Sequence, residues 1–267
     1  MFNGNIIRAE LKLNRRSLMI WVFVLIIVIL IYLGSFTFME EMNVTEMIEG
    51  YPEIFTTGLG MSPAMFGDVN VYHGGLVMLY GLLLASIFAM MLAGSMLSRE
   101  PDLGTVEFLY TRPFTRTAIM LSKAFAFMVL MIVFWLIVYL VSTAVGKLWV
   151  APDEFDLGAQ FLAHLAGFLA CLAAGGVAFA YSPLLNRVQG TTSIAIGLGF
   201  AFFLFNSISG LYEQLGFLKY LSIQYYADLP AASAGEPFIS GMIILPAVFV
   251  VGVAIGTLIL NRKEFTA

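Results

Sequence analysis

Six long apolar runs dominate the chain: Leu18–Phe38, Tyr72–Leu97, Ala118–Gly146, Gly158–Tyr181, Gly190–Tyr212 and Ser240–Leu260. A membrane-crossing helix needs roughly 20 mainly apolar residues, and each run qualifies. The third is long enough to tilt or to project beyond the lipid. No soluble domain fits between them, because the longest gap runs only from Met39 to Val71. The pattern predicts an all-α integral membrane protein of six transmembrane helices, organised as a single domain over residues 1–267. The first run is too long for the core of a signal peptide, and no small-x-small cleavage site follows it. It is expected to stay as a membrane span.

Ahead of it, Phe2, Ile6, Ala9 and Leu13 recur at helical spacing, with Asn3, Asn5, Arg8, Lys12 and Arg15 on other faces. That spacing predicts an amphipathic helix over residues 1–17, lying in the membrane interface with its basic side toward headgroups. Small residues recur every fourth position at Gly81/Ala85/Ala89/Ala93, Ala163/Gly167/Cys171/Gly175, Ser193/Gly197/Ala201 and Gly252/Gly256. Such stripes let helix backbones approach closely in lipid, which favours a compact bundle.

Composition agrees with the spans. The chain is 60% hydrophobic and only 11% charged, where a soluble domain carries about a quarter. The basic residues form no stripe, so nucleic acid is not an expected partner. The sole cysteine, Cys171, excludes an internal disulfide and a cysteine-built metal site. The charges are sorted by side. Arg8, Lys12, Arg15, Arg16, Arg99, Arg112, Arg116, Arg187, Arg262 and Lys263 fall on one side of the spans, and only Lys147 and Lys219 on the other. The second side holds acids such as Glu40, Glu46, Glu53, Asp68, Asp153, Glu213 and Asp228. By the positive-inside rule both termini face the cytoplasm.

Catalytic motifs are missing. No phosphate-binding lysine loop, nucleophile elbow or His-Glu-x-x-His motif occurs. His73 and His164 have no carboxylate nearby in sequence and read as structural polar groups. Apart from Lys123 and Glu213 near span ends, and His164, the spans carry no acid or base, which argues against a proton-coupled carrier or a charged ion pore. Asn206, Ser207 and Ser209 form the most polar intramembrane cluster; they fit either a pathway lining or interhelical hydrogen bonding.

One connector stands apart. "SREPDLGTVEFLYTRPFTR", Ser98–Arg116, gathers Arg99, Glu100, Asp102, Glu107, Arg112 and Arg116. Asp102 to Thr111 is predicted to form a short helix, with Pro101 and Asp102 in its first turn and Pro113 ending it near Arg112. Thr115 or Thr117 can cap the next span. The acids would be repelled by an anionic leaflet. Mixed charges beside Phe108, Leu109 and Tyr110 suit a protein partner.

The series Glu100-x-x-x-Gly104-Thr105-x-Glu107-x-Leu109-x-x-x-Pro113-x-x-Arg116, followed by Lys123, resembles the signature between the second and third spans of ABC-2 type transporter permeases. Six spans, inside termini and an acidic outer loop (residues 39–71) that runs into "YHGG" at 72–75 are similar to that family as well. The resemblance implies a permease that pairs with a second permease, identical or different, and binds a separate nucleotide-binding ATPase. It implies that residues 99–116 are a coupling helix seated on that ATPase, through Glu100, Asp102, Gly104, Thr105, Glu107, Leu109, Tyr110, Arg112, Pro113 and Arg116. ATP and Mg2+ would then be bound by the partner, with no cofactor, metal or catalytic residue in this chain. The expected setting is the plasma membrane. It further implies a broken outer segment between the last two spans, for which Leu211–Pro230 is long and aromatic enough. The expected cargo is amphipathic (lipid-like, peptide or drug-like), with Asn206, Ser207 and Ser209 as polar handles. Competing readings are an ion-exporting permease, a partner-recruiting membrane protein without transport, and an intramembrane enzyme.

Overall fold

The computed structural model describes residues 2–42, 44, 50, 63–104 and 115–263. Among the described residues the secondary structure is helical throughout, with no strand. Water is absent from the bilayer core, so a spanning backbone must satisfy its own hydrogen bonds, as a helix does. Six helices are long and apolar enough to cross a membrane. They are α1 (Gly4–Gly34), α2 (Met78–Asp102), α3 (Arg116–Val145), α4 (Leu157–Tyr181), α5 (Val188–Leu211) and, last in the chain, α8 (Ile239–Arg262). Between α5 and α8 lie two short helices, α6 (Ile223–Ala227) and α7 (Leu229–Ser233). The six predicted spans are all present.

The N-terminal helix differs from its prediction. No break separates an interfacial helix at 1–17 from the span: α1 is one helix of 31 residues. Its length is about 46 Å at 1.5 Å per residue, against a hydrocarbon core of about 30 Å, so several turns extend past the lipid. Its buried face is Ile6, Glu10, Asn14, Leu18, Val22, Leu25, Ile29 and Leu33, while Phe2 and Leu13 are exposed. The side packed on the bundle carries an acid and an amide, Glu10 and Asn14, which the apolar spacing did not mark, while Phe2 and Leu13 lie on the side turned away from the bundle. Arg8, Lys12, Arg15 and Arg16 are exposed, as a headgroup-facing side requires.

Helices α2 and α4 form the centre of the bundle, with α3 and α8 against α4, α1 against α3 and α5 against α2. Small residues set these contacts. A Cβ on Gly252 would lie 2.1 Å from the Gly176 carbonyl oxygen, and one on Gly256 2.1 Å from that of Phe179, so α4 and α8 touch backbone to backbone. The Trp135 ring of α3 lies over Gly167, and that of Phe127 over Gly175. On α5 the small-residue face is uncovered, since nothing lies within 4 Å of a Cβ on Gly197. Close packing is a main source of helix association in lipid, so these two glycines should respond differently. Gly252→Ala is expected to lower the melting temperature in detergent by several degrees, by about 1–3 kcal/mol of overpacking strain, while Gly197→Ala stays near the parent. Equal melting of the two variants would refute the close α4–α8 crossing.

The chain enters α2 through a turn, Val69–Tyr72, and a π-helical segment, His73–Val77. Its paired glycines have a steric reason. A Cβ on Gly74 would meet Ser233 Oγ at 2.1 Å, and one on Gly75 would meet Met65 at 2.3 Å. At the same end, the stretch between α5 and α8 is broken into a 3-10 turn (Glu213–Leu221), α6 and α7. Ser222 Oγ donates to the Phe202 carbonyl at 2.7 Å. Phe202 lies nine residues before the end of α5, or about 13 Å along its axis. The segment thus turns back into the bundle, as the resemblance implied for Leu211–Pro230.

Candidate functional site

Both feet of the 103–115 connector are bonded to the bundle. The first foot is the end of α2. Leu103 N donates to Arg99 O at 3.0 Å, Gly104 N donates to Pro101 O at 3.2 Å, and Gly104 adopts φ 66°. That left-handed position favours glycine and closes the helix. Pro101 and Asp102 therefore end the second span and do not begin a separate helix, which corrects the sequence reading of this turn. Asp102 Oδ2 instead accepts from Val188 N, at the start of α5, at 3.4 Å. Thr105, Glu107, Leu109, Tyr110, Arg112 and Pro113 lie outside the described residues.

Just above Asp102, four charges meet in the protein interior. Lys123 Nζ donates to Glu10 Oε1 at 2.9 Å, and also to Glu100 Oε1 and the Met96 carbonyl. Glu10 Oε2 accepts from Arg99 Nη1 at 3.3 Å and from Asn14 Nδ2 at 3.0 Å. Arg99 Nη2 closes the ring on Asn14 Oδ1 at 2.8 Å. Lys123 is only 1% exposed and Glu10 3%. Two acids and two bases neutralise one another, which is the condition under which charge tolerates burial. The cluster joins α1, α2 and α3. Sequence reasoning noted Lys123 beside the motif but missed Glu10 and Asn14, which lie on α1 far from their partners in sequence.

At the second foot, Thr115 Oγ1 accepts from Ala118 N at 3.1 Å and caps α3. Arg116 reaches across to the end of α8. Its Nη1 donates to the carbonyls of Leu260 at 2.7 Å, Asn261 at 3.4 Å and Lys263. These are among the carbonyls a helix leaves unpaired at its C-terminus, and the cation suits that end of the dipole. Lys263 Nζ in turn donates to Pro183 O at 2.7 Å and Asn186 Oδ1 at 2.6 Å. Partial burial draws its ammonium below the usual lysine range. Glu100, Asp102 and Arg116 thus all make contacts within the chain.

At the opposite end, a cavity of about 310 Å3 opens between the π segment, α5 and the re-entrant stretch. Asn206, Gln224, Gly74, Gly75, Leu229 and Ser240 contribute to its wall. Ser207 and Ser209 are not among its lining residues, and Ser209 Oγ donates to the Asn206 carbonyl at 2.7 Å within α5. Gln224 had no signal in the sequence, because its setting depends on the fold of α6. Nearby, His73 and His164 stack with centroids 5.4 Å apart. Both Nε2 atoms reach Ser142 Oγ, at 3.3 and 3.2 Å. His164 Nδ1 must donate to the Gln160 carbonyl at 2.7 Å, so its Nε2 accepts the serine proton and His73 Nε2 donates to the serine oxygen. The two rings serve as a buried hydrogen-bonded tie between the π segment, α3 and α4. Among the described residues no group of three or more His, Cys, Asp or Glu side chains is placed to hold a metal ion.

Six apolar helices with a largely exposed apolar exterior define a multi-pass membrane protein. The family model for ABC-2 family transporter proteins matches residues 4–265, nearly the whole chain, and the chain belongs to that family. It is accordingly a membrane permease of an ABC transporter, a kind of subunit generally paired with an ATPase. No curated protein sequence matches it.

Proposed function

We propose that the chain is the permease subunit of an ATP-driven exporter, that it couples to a separate ATPase through residues 99–116, and that it carries an amphipathic cargo. The observation that supports this most is the anchorage of the connector. Its first foot is tied to α1 and α3 through the Glu10–Lys123–Glu100–Arg99 cluster, and its second to α8 through Arg116. A displacement of the connector by a partner would move four helices as a unit. In this reading the basic end and both termini face the cytoplasm, as the charge asymmetry between the two ends supports, and the protein works in the plasma membrane. ATP and Mg2+ belong to the partner in this reading, and this chain is not itself an enzyme. A second permease, identical or different, completes the pathway. The apolar spans disfavour a bare ion, which would lose its hydration along them, and suit a cargo with an apolar body.

Co-purification tests the reading. The tagged chain should bring down a nucleotide-binding subunit encoded beside it, and the reconstituted complex should hydrolyse ATP faster with amphipathic compounds than with sodium or potassium salts. Glu107→Lys should lower subunit association about thirtyfold or more, as expected when a contact worth about 2–5 kcal/mol loses one charge. Retention of both association and transport by Glu107→Lys would remove the connector from the ATPase interface.

A further inference from the structure

The cavity at the outer, acidic end contains an unexplained polar group. Gln224 is 5% exposed, yet neither Oε1 nor Nε2 of its side chain has a hydrogen-bond partner among the described residues. Its backbone is provided for, since Gln224 N donates to Ser222 Oγ at 3.2 Å. Buried amides are almost always hydrogen-bonded, and one left with both donor and acceptor unpaired is costly. A leucine would fill the same space without that cost. Gln224 forms part of the wall of the cavity of about 310 Å3, and the terminal torsion of a glutamine is soft, so a rotation about it presents the amide to an occupant.

The wall indicates what that occupant is. The group left unpaired is planar and carries a donor and an acceptor side by side; its complement is the N–H and C=O of one residue in an extended peptide, which point to the same side and meet both at once. Asn206 adds a second carboxamide residue to the wall. Asp228 is the only charged residue among the described lining, so a phosphate or carboxylate head finds no counter-charge there. Met65, Leu79 and Leu229 supply apolar surface. The volume lies at the small end of ligand pockets, sufficient for a short stretch of chain and too small for a folded partner.

Resting on the permease reading above, we infer that this cavity binds the main-chain amide of an apolar peptide, with Gln224 as its specificity-determining contact. Among the amphipathic cargoes considered, peptides are therefore the class this site selects.

The test separates the site from the ATPase. The full-length chain in lipid nanodiscs is titrated with N-acetyl-leucyl-leucinamide and with its ester analogue, in which the central N–H is replaced by oxygen. Empty nanodiscs serve as the blank. The amide probe should bind about three- to tenfold more tightly than the ester, the range of one hydrogen bond. In Gln224→Leu that preference should fall to about one, while the unliganded variant melts at or above the parent temperature, because two orphaned atoms have been removed. Equal affinity of the parent for the two probes, no binding above empty nanodiscs, or an undiminished preference in Gln224→Leu would each overturn the inference. A lower melting temperature in Gln224→Leu, with the preference intact, would assign the amide to ordered water and a structural role. Co-purification with the ATPase is unaffected by any of these results, so failure here leaves the permease reading standing, and failure of co-purification leaves the binding result standing.

Discussion

Replacing Lys123 with methionine is expected to destabilise the protein by about 3–5 kcal/mol, the cost of removing one partner from a buried ionic pair. The Lys123 ammonium lies among Glu10, Glu100 and the Met96 carbonyl, with 1% of the residue exposed. Without it, the Glu10 carboxylate remains buried on α1, and among the described residues Arg99, at 3.3 Å, is left to balance it. Glu100 is 21% exposed at its side chain and can turn to water, so the penalty falls mainly on Glu10. The contact between α1 and α3 should loosen first. Thermal unfolding in detergent, with protease digestion of the N-terminal arm, reads both effects. Pairing Lys123→Met with Glu10→Gln should restore part of the loss, because the double variant buries no lone charge; a coupling of about 0.5–3 kcal/mol is expected for residues in one network. If Lys123→Met melts with the parent, the cluster does not hold α1 in place, and the anchorage argument for the connector loses its first foot.

That cluster also shows where sequence reading stops. The six spans were legible because burial in lipid demands about 20 apolar residues in a row, a local property of the chain. The face of α1 was not, because Glu10 and Asn14 break the apolar period and make sense only beside Lys123 and Arg99, 113 and 89 residues from Glu10. Gly104 did carry a local signal. A glycine after Asp102-Leu103 marks a helix stop, but Pro101 also suits a first turn, and the fold uses the first meaning. Asn206 could be singled out as a polar residue in an apolar run, while its neighbours Ser207 and Ser209 shared that signal without sharing the cavity. Gln224 and the His73–His164 pair depend on how distant segments meet, and no spacing along the chain records that.

Reversing the charge at Arg116 should separate ATP hydrolysis from transport. The last carbonyls of a helix lack partners within it and carry the negative end of its dipole. For α8, the Arg116 guanidinium supplies that partner from the first residue of α3, on the carbonyls of Leu260, Asn261 and Lys263. Arg116→Glu removes a charge-assisted contact worth about 1.5–3 kcal/mol and sets a carboxylate against the wrong end of the dipole, for about 0.3–1 kcal/mol more. The total of about 2–4 kcal/mol is local to the junction of α3 and α8, since Gly252 and Gly256 hold α8 against α4 independently of it and Lys263 keeps its own bonds to Pro183 and Asn186. The spans should therefore stay assembled while the end of α8 frays. A cysteine at Leu260, which is 3% exposed in the parent, in a background lacking Cys171, should become markedly more reactive toward a thiol reagent. In the reconstituted complex the ATPase should keep turning over, while transport falls tenfold or more for about 1.4 kcal/mol of lost coupling. Arg116→Lys keeps the charge and one point of contact, and should fall between the two. If Arg116→Glu transports like the parent although the cysteine at position 260 has become reactive, then α8 does not follow the connector, and the motion passes through Lys123 and α1 alone.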